Sequence, residues 1–218
     1  MRIACLHTAD SNIAVFEDSI SRGGFAEVRL THAVRADLLA ETEQSRGLNA
    51  SIEEKTIAAL LGLSKTADAV LLTCSSLGPV AEKAAAIAST PILRVDEALA
   101  REAVKGGETV VALCAIATTL QPTRALFDAA AQKIAASIDV RLVPLAWDLF
   151  KAGQRDTYLR LIAEAADQAF DEGIEIVALA QASMTGAADL CCRGRPLTSP
   201  GAGLKAALAM AGKSGKAA

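Results

Sequence analysis

The sequence predicts an α/β fold built on parallel β-sheet. Two observations carry this. Short, nearly continuous apolar runs rich in Val, Ile and Leu recur along the chain, as in strands buried on both faces. Longer amphipathic segments separate them, and strand–helix alternation gives βαβ units. The composition agrees with a packed domain: 52% of the 218 residues are hydrophobic and 22% charged, so the chain can bury enough apolar surface to offset its ordering entropy. The length suits one large domain or two small ones.

Taken in order, the strand candidates are 2–8, 26–31, 69–74, 91–94, 108–116, 139–145 and 174–180. Between them, Ser51-Ile52-Glu53-Glu54 has the spacing of a capping box, which places a helix over 52–66 with Ile57, Leu60, Leu61 and Leu63 on its apolar face. Pro122, between Gln121 and Thr123, suits the first turn of another helix. A third is expected over 157–170, where Leu161, Ala165 and Ala169 recur at a spacing of four. With aromatics at only 3%, Ala, Leu, Ile and Val must fill the core.

The segment Val70–Leu77 (VLLTCSSL) aligns with Val177–Met184 (VALAQASM) at an offset of 107, about half the chain. Both run from an apolar strand into a turn of small residues. Val70 then matches Val177, Leu72 Leu179, Ser76 Ser183, and Cys74 Gln181. Two similar α/β halves would produce this echo, and so would chance alignment of two buried strands in an Ala-rich protein. On the echo alone neither is preferred.

Several function classes lose support. No apolar run reaches the roughly 18 residues of a membrane span, and the N-terminus reads as a first strand, not a signal peptide. The net charge of -3 comes without a basic, aromatic-interleaved stripe, which argues against nucleic-acid binding. The stretch Lys213–Ala218 reads as a frayed tail. Neither a Gly-x-Gly-x-x-Gly after the first strand nor a Gly-x-x-x-x-Gly-Lys-Ser/Thr occurs, so phosphate cradling is not expected. The cysteines at 5, 74, 114, 191 and 192 are odd in number and include no Cys-x-x-Cys, and the chain has two histidines. Neither a disulfide framework nor a zinc site follows, and free thiols in a reducing cytoplasm are expected.

The chemistry is expected at Cys74. Thr73, Cys74, Ser75 and Ser76 directly follow a buried strand, and Gly78-Pro79 allows a tight turn and a helix start. A thiol near a helix N-terminus sees backbone amides and the positive end of the dipole, which favour thiolate. Ser75 and Ser76 add hydroxyl donors for a carboxylate. A thiolate beside a carboxylate pocket suits proton abstraction next to a carboxyl group, or nucleophilic attack. Against this, most cysteines are small buried hydrophobes, the reading adopted for Cys5 and Cys114. Cys191-Cys192 reads as an ordinary helix end.

Thr73-Cys74-Ser75-Ser76-Leu77-Gly78-Pro79 resembles the first catalytic turn of the aspartate/glutamate/hydantoin racemase superfamily. Leu179-Ala180-Gln181-Ala182-Ser183-Met184 resembles its second turn. Ala117-Thr118-Thr119 resembles its threonine loop, and Leu6-His7-Thr8 with Asn12 its first substrate loop. Pro91–Glu97 and Pro196–Pro200 fall where related sequences have similar segments. The resemblance spans nearly the whole chain. It implies two pseudo-symmetric α/β domains, each with a parallel four-stranded sheet flanked by helices and with the active site in the cleft between them. The expected division is 1–97 with a C-terminal helix over 201–218, and 98–200. It also implies chemistry without pyridoxal phosphate, metal or nucleotide, on a small amino acid or dicarboxylate, and by analogy a homo-oligomer.

Racemases of that superfamily use two cysteines on opposite faces of the substrate carbon. Cys74 matches the first; Gln181 stands where the second is expected, and an amide is neither acid nor base near neutral pH. The resemblance therefore implies single-thiol chemistry at Cys74. Thr8, Asn12, Ser75, Ser76, Thr118, Thr119, Gln181 and Ser183 would bind the substrate, largely by hydroxyls and backbone amides. His7, Asp10 and Tyr158 are candidates for a second proton relay that no spacing places there. The alternatives are a single-cysteine decarboxylase of a malonate-like acid, and a non-catalytic protein that binds small carboxylates.

Overall fold

The computed structural model describes residues 1–23, 25, 27–132 and 134–214. The chain forms two compact units: Met1–Val95 together with the segment from Pro200, and Asp96–Ser199. The expected tail from Lys213 lies outside the described side chains, and its last four residues lie outside the described backbone.

In the first unit, β1 (Arg2–His7) is followed by α1 (Ser11–Gly23), β2 (Arg29–Val34), α2 (Ala36–Gln44), α3 (Ala50–Ser64) and β3 (Ala69–Leu72). A 3-10 turn (Ser75–Leu77), α4 (Val80–Ala85) and β4 (Ile92–Arg94) complete the sheet, whose order is β2-β1-β3-β4, all parallel. Ala4, Leu6, Val70 and Leu72 face one core with Leu38, Ile52, Leu60, Leu77 and Ala81 from the helices. Ile3, Cys5 and His7 alternate onto the opposite face, where His7 meets Phe16 of α1 at 5.3 Å between ring centroids. All of these residues are buried, which is why β1 and β3 read as continuous apolar runs.

The second unit contains α5 (Val95–Ala103), most of which lies beyond the unit boundary, then β5 (Thr109–Cys114), a 3-10 turn (Ala117–Thr119), α6 (Leu120–Ala131) and β6 (Ser137–Leu142). After α7 (Ala146–Lys151) and α8 (Arg155–Asp171) come β7 (Ile176–Leu179), a longer 3-10 segment (Ala182–Asp189) and β8 (Leu197–Thr198). The sheet order is β6-β5-β7-β8, again all parallel. Its core sets Val111, Leu113, Val177 and Leu179 against Tyr158, Ile162, Ala166 and Ala169 of α8. α9 (Ser199–Ser214) returns to the first unit, where Leu204 and Ala207 are fully buried. A methyl group at Gly203 would lie 2.7 Å from Val95 Cγ1, so the missing side chain lets the helix sit closely on that residue.

The echo at 107 extends to the hydrogen-bonding register. Leu6 pairs with Leu72 and Leu113 with Leu179, and each pair is the other shifted by 107. β1 shifted by 107 is β5, and β3 shifted by 107 is β7. The same motion takes the bond from Thr73 N to the Leu6 carbonyl onto that from Ala180 N to the Leu113 carbonyl. Two halves of one design, not chance alignment, account for the echo.

Three sequence expectations move. The strand expected over 26–31 is β2 at Arg29–Val34, and Ala26 lies outside the described residues. β2 is an edge strand with an intermediate-to-exposed pattern, so it needs no apolar run, and His32 disguised its end. β6, the other edge, starts earlier than the expected 139–145, and Leu145 is left-handed at φ 64° and caps α7 instead. The helix expected from 52 begins at Ala50. Its cap is Asn49, whose side chain accepts from Ile52 N at 3.0 Å. Ser51 lies inside the first turn, because Asn49 has the extended backbone that a cap requires (φ -131°, ψ 170°). No described helix is long and apolar enough to cross a membrane.

The cap gives a discriminating test. Asn49→Ala should lower unfolding stability by about 1 kcal/mol in urea titrations, with little change on Ser51→Ala. The reverse order would restore the capping box.

Candidate functional site

In each sheet the chain leaves the two central strands in opposite directions: β1 leads outward to β2, and β3 leads the other way to β4. Such a switch point opens a crevice beyond the carboxyl ends of the strands, where open α/β sheets hold ligands. The second sheet has the same switch between β5 and β7.

The predicted residues gather at these two places. In the first unit Thr8 follows β1, Asn12 lies in the first turn of α1, and Cys74, Ser75 and Ser76 follow β3. Cys74 is extended (φ -101°, ψ 116°) and leads into the 3-10 turn, with its carbonyl accepting from Leu77 N at 3.2 Å. It is partly exposed, Ser76 likewise, while Thr8, Asn12 and Ser75 are buried. Asn12 Oδ1 is buried without a hydrogen-bond partner among the described residues, an acceptor whose desolvation is uncompensated. In the second unit Thr118, Thr119, Gln181 and Ser183 lie beyond β5 and β7, with Thr118 exposed and Thr119 and Gln181 buried.

Gln181 is held at both ends. Its Oε1 accepts from Ala115 N at 2.7 Å, and its Nε2 donates to Thr119 Oγ1 at 3.1 Å. Thr119 Oγ1 in turn donates to the Ile116 carbonyl at 2.7 Å. The amide therefore ties the end of β7 to the turn after β5. Ser183 is also engaged, with its Oγ 2.8 Å from the Tyr158 hydroxyl. Burial pushes the Tyr158 phenol up to about 12, which keeps it neutral at pH 7.

The first unit makes the corresponding tie with other residues. Thr73 Oγ1 lies 3.1 Å from the Leu6 carbonyl and 2.8 Å from His7 Nδ1. His7 Nε2 lies 2.8 Å from His32 Nδ1, and His32 Nε2 lies 3.1 Å from Glu17 Oε1. A continuous hydrogen-bonded chain thus runs from Glu17 on α1 to the residue preceding Cys74. Burial first, and then the neighbouring His32, push the His7 imidazole down to about 4, so it is neutral at pH 7. Both of its ring nitrogens are occupied in this chain.

The thiols divide clearly. Burial pushes Cys5 up to about 12 and Cys191 up to about 11, and it raises Cys114 as well, so these three are held as thiols. None of the five cysteines is in a disulfide. Cys74 is the partly exposed cysteine at a strand switch point, where a thiol can exchange a proton or attack an electrophilic carbon.

Sequence reasoning overlooked His32, Glu17 and Arg94. His32 and Glu17 carry no motif; the pairing of β2 with β1 brings His32 beside His7, and α1 brings Glu17 to His32. Arg94 is buried at 6% exposure and ends β4; a methyl group at Gly78 would meet its guanidinium at 2.3 Å, so that glycine makes room for the cation beside the Cys74 turn. An arginine inside the apolar run Pro91–Val95 was the available signal.

The Asp/Glu/hydantoin racemase family model matches residues 39–202. No curated protein matches the chain by sequence. Among solved structures, the aspartate racemase of Picrophilus torridus superposes with a TM-score of 0.74 at 12% identity, covering 97% of this chain and 94% of that one. Allantoin racemase of Pseudomonas fluorescens gives 0.67 at 16% identity, covering 96% and 90%. A mutant of arylmalonate decarboxylase in its sulfate-associated form gives 0.64 at 15% identity, covering 97% and 94%. At these identities the superpositions speak for the fold, and the family model, which matches most of the chain, for descent: the protein belongs to the Asp/Glu/hydantoin racemase family.

Proposed function

We propose that the protein is a cofactor-independent enzyme that acts with one thiol, Cys74, at the carbon next to a carboxylate of a small acid. The observation that carries this reading is the contrast between the two equivalent strand ends. Cys74 is partly exposed, whereas Gln181 at the matching position is buried and bonded at both ends of its amide. One position offers an acid, base or nucleophile, and the other offers neither acid nor base. In this reading Thr8, Asn12, Ser75 and Ser76 hold carboxylate oxygens, and Thr118 and Ser183 are the corresponding candidates of the second unit; Thr119, whose hydroxyl and amide both donate to the Ile116 carbonyl, holds Gln181 instead. Asn12 Oδ1, lacking a partner, would accept from a donor group on the substrate.

Two reactions fit one thiol. In an isomerisation or racemisation, Cys74 takes the proton from the carbon and a second group must return one to the other face. In a decarboxylation, loss of CO2 leaves a carbanion that Cys74 protonates from a single face. The tied amide at Gln181 favours the second, since no proton donor is then needed there. The similarity to an arylmalonate decarboxylase fold is compatible with it.

Turnover in D2O separates the two across aspartate, glutamate and other small amino acids, dicarboxylates and 2-substituted malonates. Racemisation places deuterium on both enantiomers, and decarboxylation releases CO2 and labels one face. Cys74→Ser should lower the active reaction about 10²–10⁴-fold, the range for losing a positioned acid or base. The absence of both exchange and CO2 release across all of these acids would refute the enzyme assignment, and unchanged ligand affinity in the Cys74→Ser protein would then favour a binding protein. Gln181→Leu should destabilise the fold by about 1–3 kcal/mol in chemical denaturation, because Ala115 N–H is left buried without a partner.

A further inference from the structure

The face of the first sheet that carries Cys5 and His7 holds a group of side chains not used by the proposed chemistry. Cys5 and His7 are two residues apart on β1 and so point to the same side. His32 on β2 pairs in register with Cys5, which brings its imidazole to that side as well. One ligand atom from each of the three lies within 4.8 Å of the others.

The hydrogen bonds around the two rings give the arrangement its meaning. The outward nitrogens sit on acceptors: His32 Nε2 on Glu17 Oε1 at 3.1 Å, and His7 Nδ1 on Thr73 Oγ1 at 2.8 Å. When Thr73 donates its own proton to the Leu6 carbonyl, its oxygen accepts from His7 Nδ1–H. In that arrangement a ring with one proton carries it on the outside. The inward atoms, His7 Nε2 and His32 Nδ1, face each other with bare lone pairs 2.8 Å apart. A shared proton or a metal ion between them completes that arrangement; in the other, Thr73 donates to His7 Nδ1 and His7 Nε2–H donates to His32 Nδ1, and the ion binds once that proton has moved to His7 Nδ1. Ligating histidines commonly donate the other ring N–H to a carboxylate or other acceptor, which fixes tautomer and orientation.

We propose that Cys5, His7 and His32 form a binding site for one zinc-class divalent metal ion, with Glu17 and Thr73 orienting the two imidazoles from behind. One thiolate and two imidazoles suit a borderline ion such as Zn2+ or Co2+. On binding, Cys5 gives its proton to solvent, the sulfur and the two inward nitrogens each supply a lone pair, and no oxidation state changes. Metal–nitrogen bonds of about 2.0–2.1 Å in a tetrahedron place the two nitrogens about 3.3 Å apart, so the rings must open by roughly half an ångström. The Glu17 side chain behind His32 is 55% exposed and that of His32 12%, so this side gives the ion a route in from solvent. The ion would lock β1 to β2 and fix Thr73, one residue before Cys74, without taking part in the reaction at Cys74.

The test is Co2+ titration of chelator-treated, desalted full-length protein under anaerobic conditions. One equivalent should bind, with a sulfur-to-cobalt charge-transfer band and the visible bands of a tetrahedral ion, and Zn2+ should bleach both. Cys5→Ser should remove the charge-transfer band, His32→Ala should weaken binding more than tenfold, and Glu17→Gln should weaken it about 10–100-fold. Cys74→Ser, Cys191→Ser and Cys192→Ser should retain the band. Zn2+ should raise the Tm of the wild type and leave that of His32→Ala unchanged. Absence of stoichiometric binding, a band that survives Cys5→Ser, or a band lost with Cys74, Cys191 or Cys192 would overturn the site. Should Cys5→Ser fail to fold, His32→Ala and Glu17→Gln, at part-exposed positions of an edge strand and a surface helix, decide the question.

Discussion

Two neighbouring parallel strands have to be fastened together where they end, and the rest of the molecule depends on that fastening. Past the last ladder bond, backbone amides and carbonyls still need partners, and buried ones cost free energy when they lack them. Each unit answers with side chains. Thr73 and His7 hold the ends of β3 and β1 in one, and Gln181 and Thr119 hold β7 to the turn after β5 in the other. These ties stand where the connections diverge, so they also shape the floor of any crevice there.

The same solution reached with different residues is informative about how the halves diverged. A shift of 107 superposes strand on strand and register on register, yet it turns Thr73 into Ala180, His7 into Cys114, and Cys74 into Gln181. The second unit lacks the threonine and histidine that fasten the first, and its glutamine does that work from the next position along. An amide committed to two neutral hydrogen bonds is structural material. This gives a physical reason for the difference between the turns: the residue that would face a substrate is already engaged in holding its own strand.

Much of this was legible in the sequence, and what was not has definite causes. The central strands were clear because burial on both faces demands unbroken apolar runs, as in Val110–Cys114 and Ala69–Leu72. The Cys74 turn was clear because Ser75, Ser76, Gly78 and Pro79 follow in immediate succession. The edge strands were misplaced because an exposed edge relaxes the demand for apolar residues, so the end of β2 from His32 and the start of β6 at Ser137 looked unlike strand. The cap of α3 was misassigned because Ser51 and Asn49 are both capable residues, and backbone dihedral angles, not spacing, decide between them. The group around His32 was invisible for a different reason. Cys5, His7 and His32 come from two strands separated by a helix, so no local spacing marks them, and only the register of Cys5 against His32 brings them together.

The return of α9 to the first unit has a consequence for how the chain is made. The second unit is one unbroken stretch, Asp96–Ser199, whereas the first waits for the segment from Pro200 to cover Val95 with the bare face of Gly203. On a ribosome, the part that emerges first is therefore the part completed last. While α9 is still being synthesised, the apolar surface that Leu204 and Ala207 will cover is open to water, chaperones and other nascent chains. α9 thus closes the apolar core of the first unit only after the chain of the second has been made.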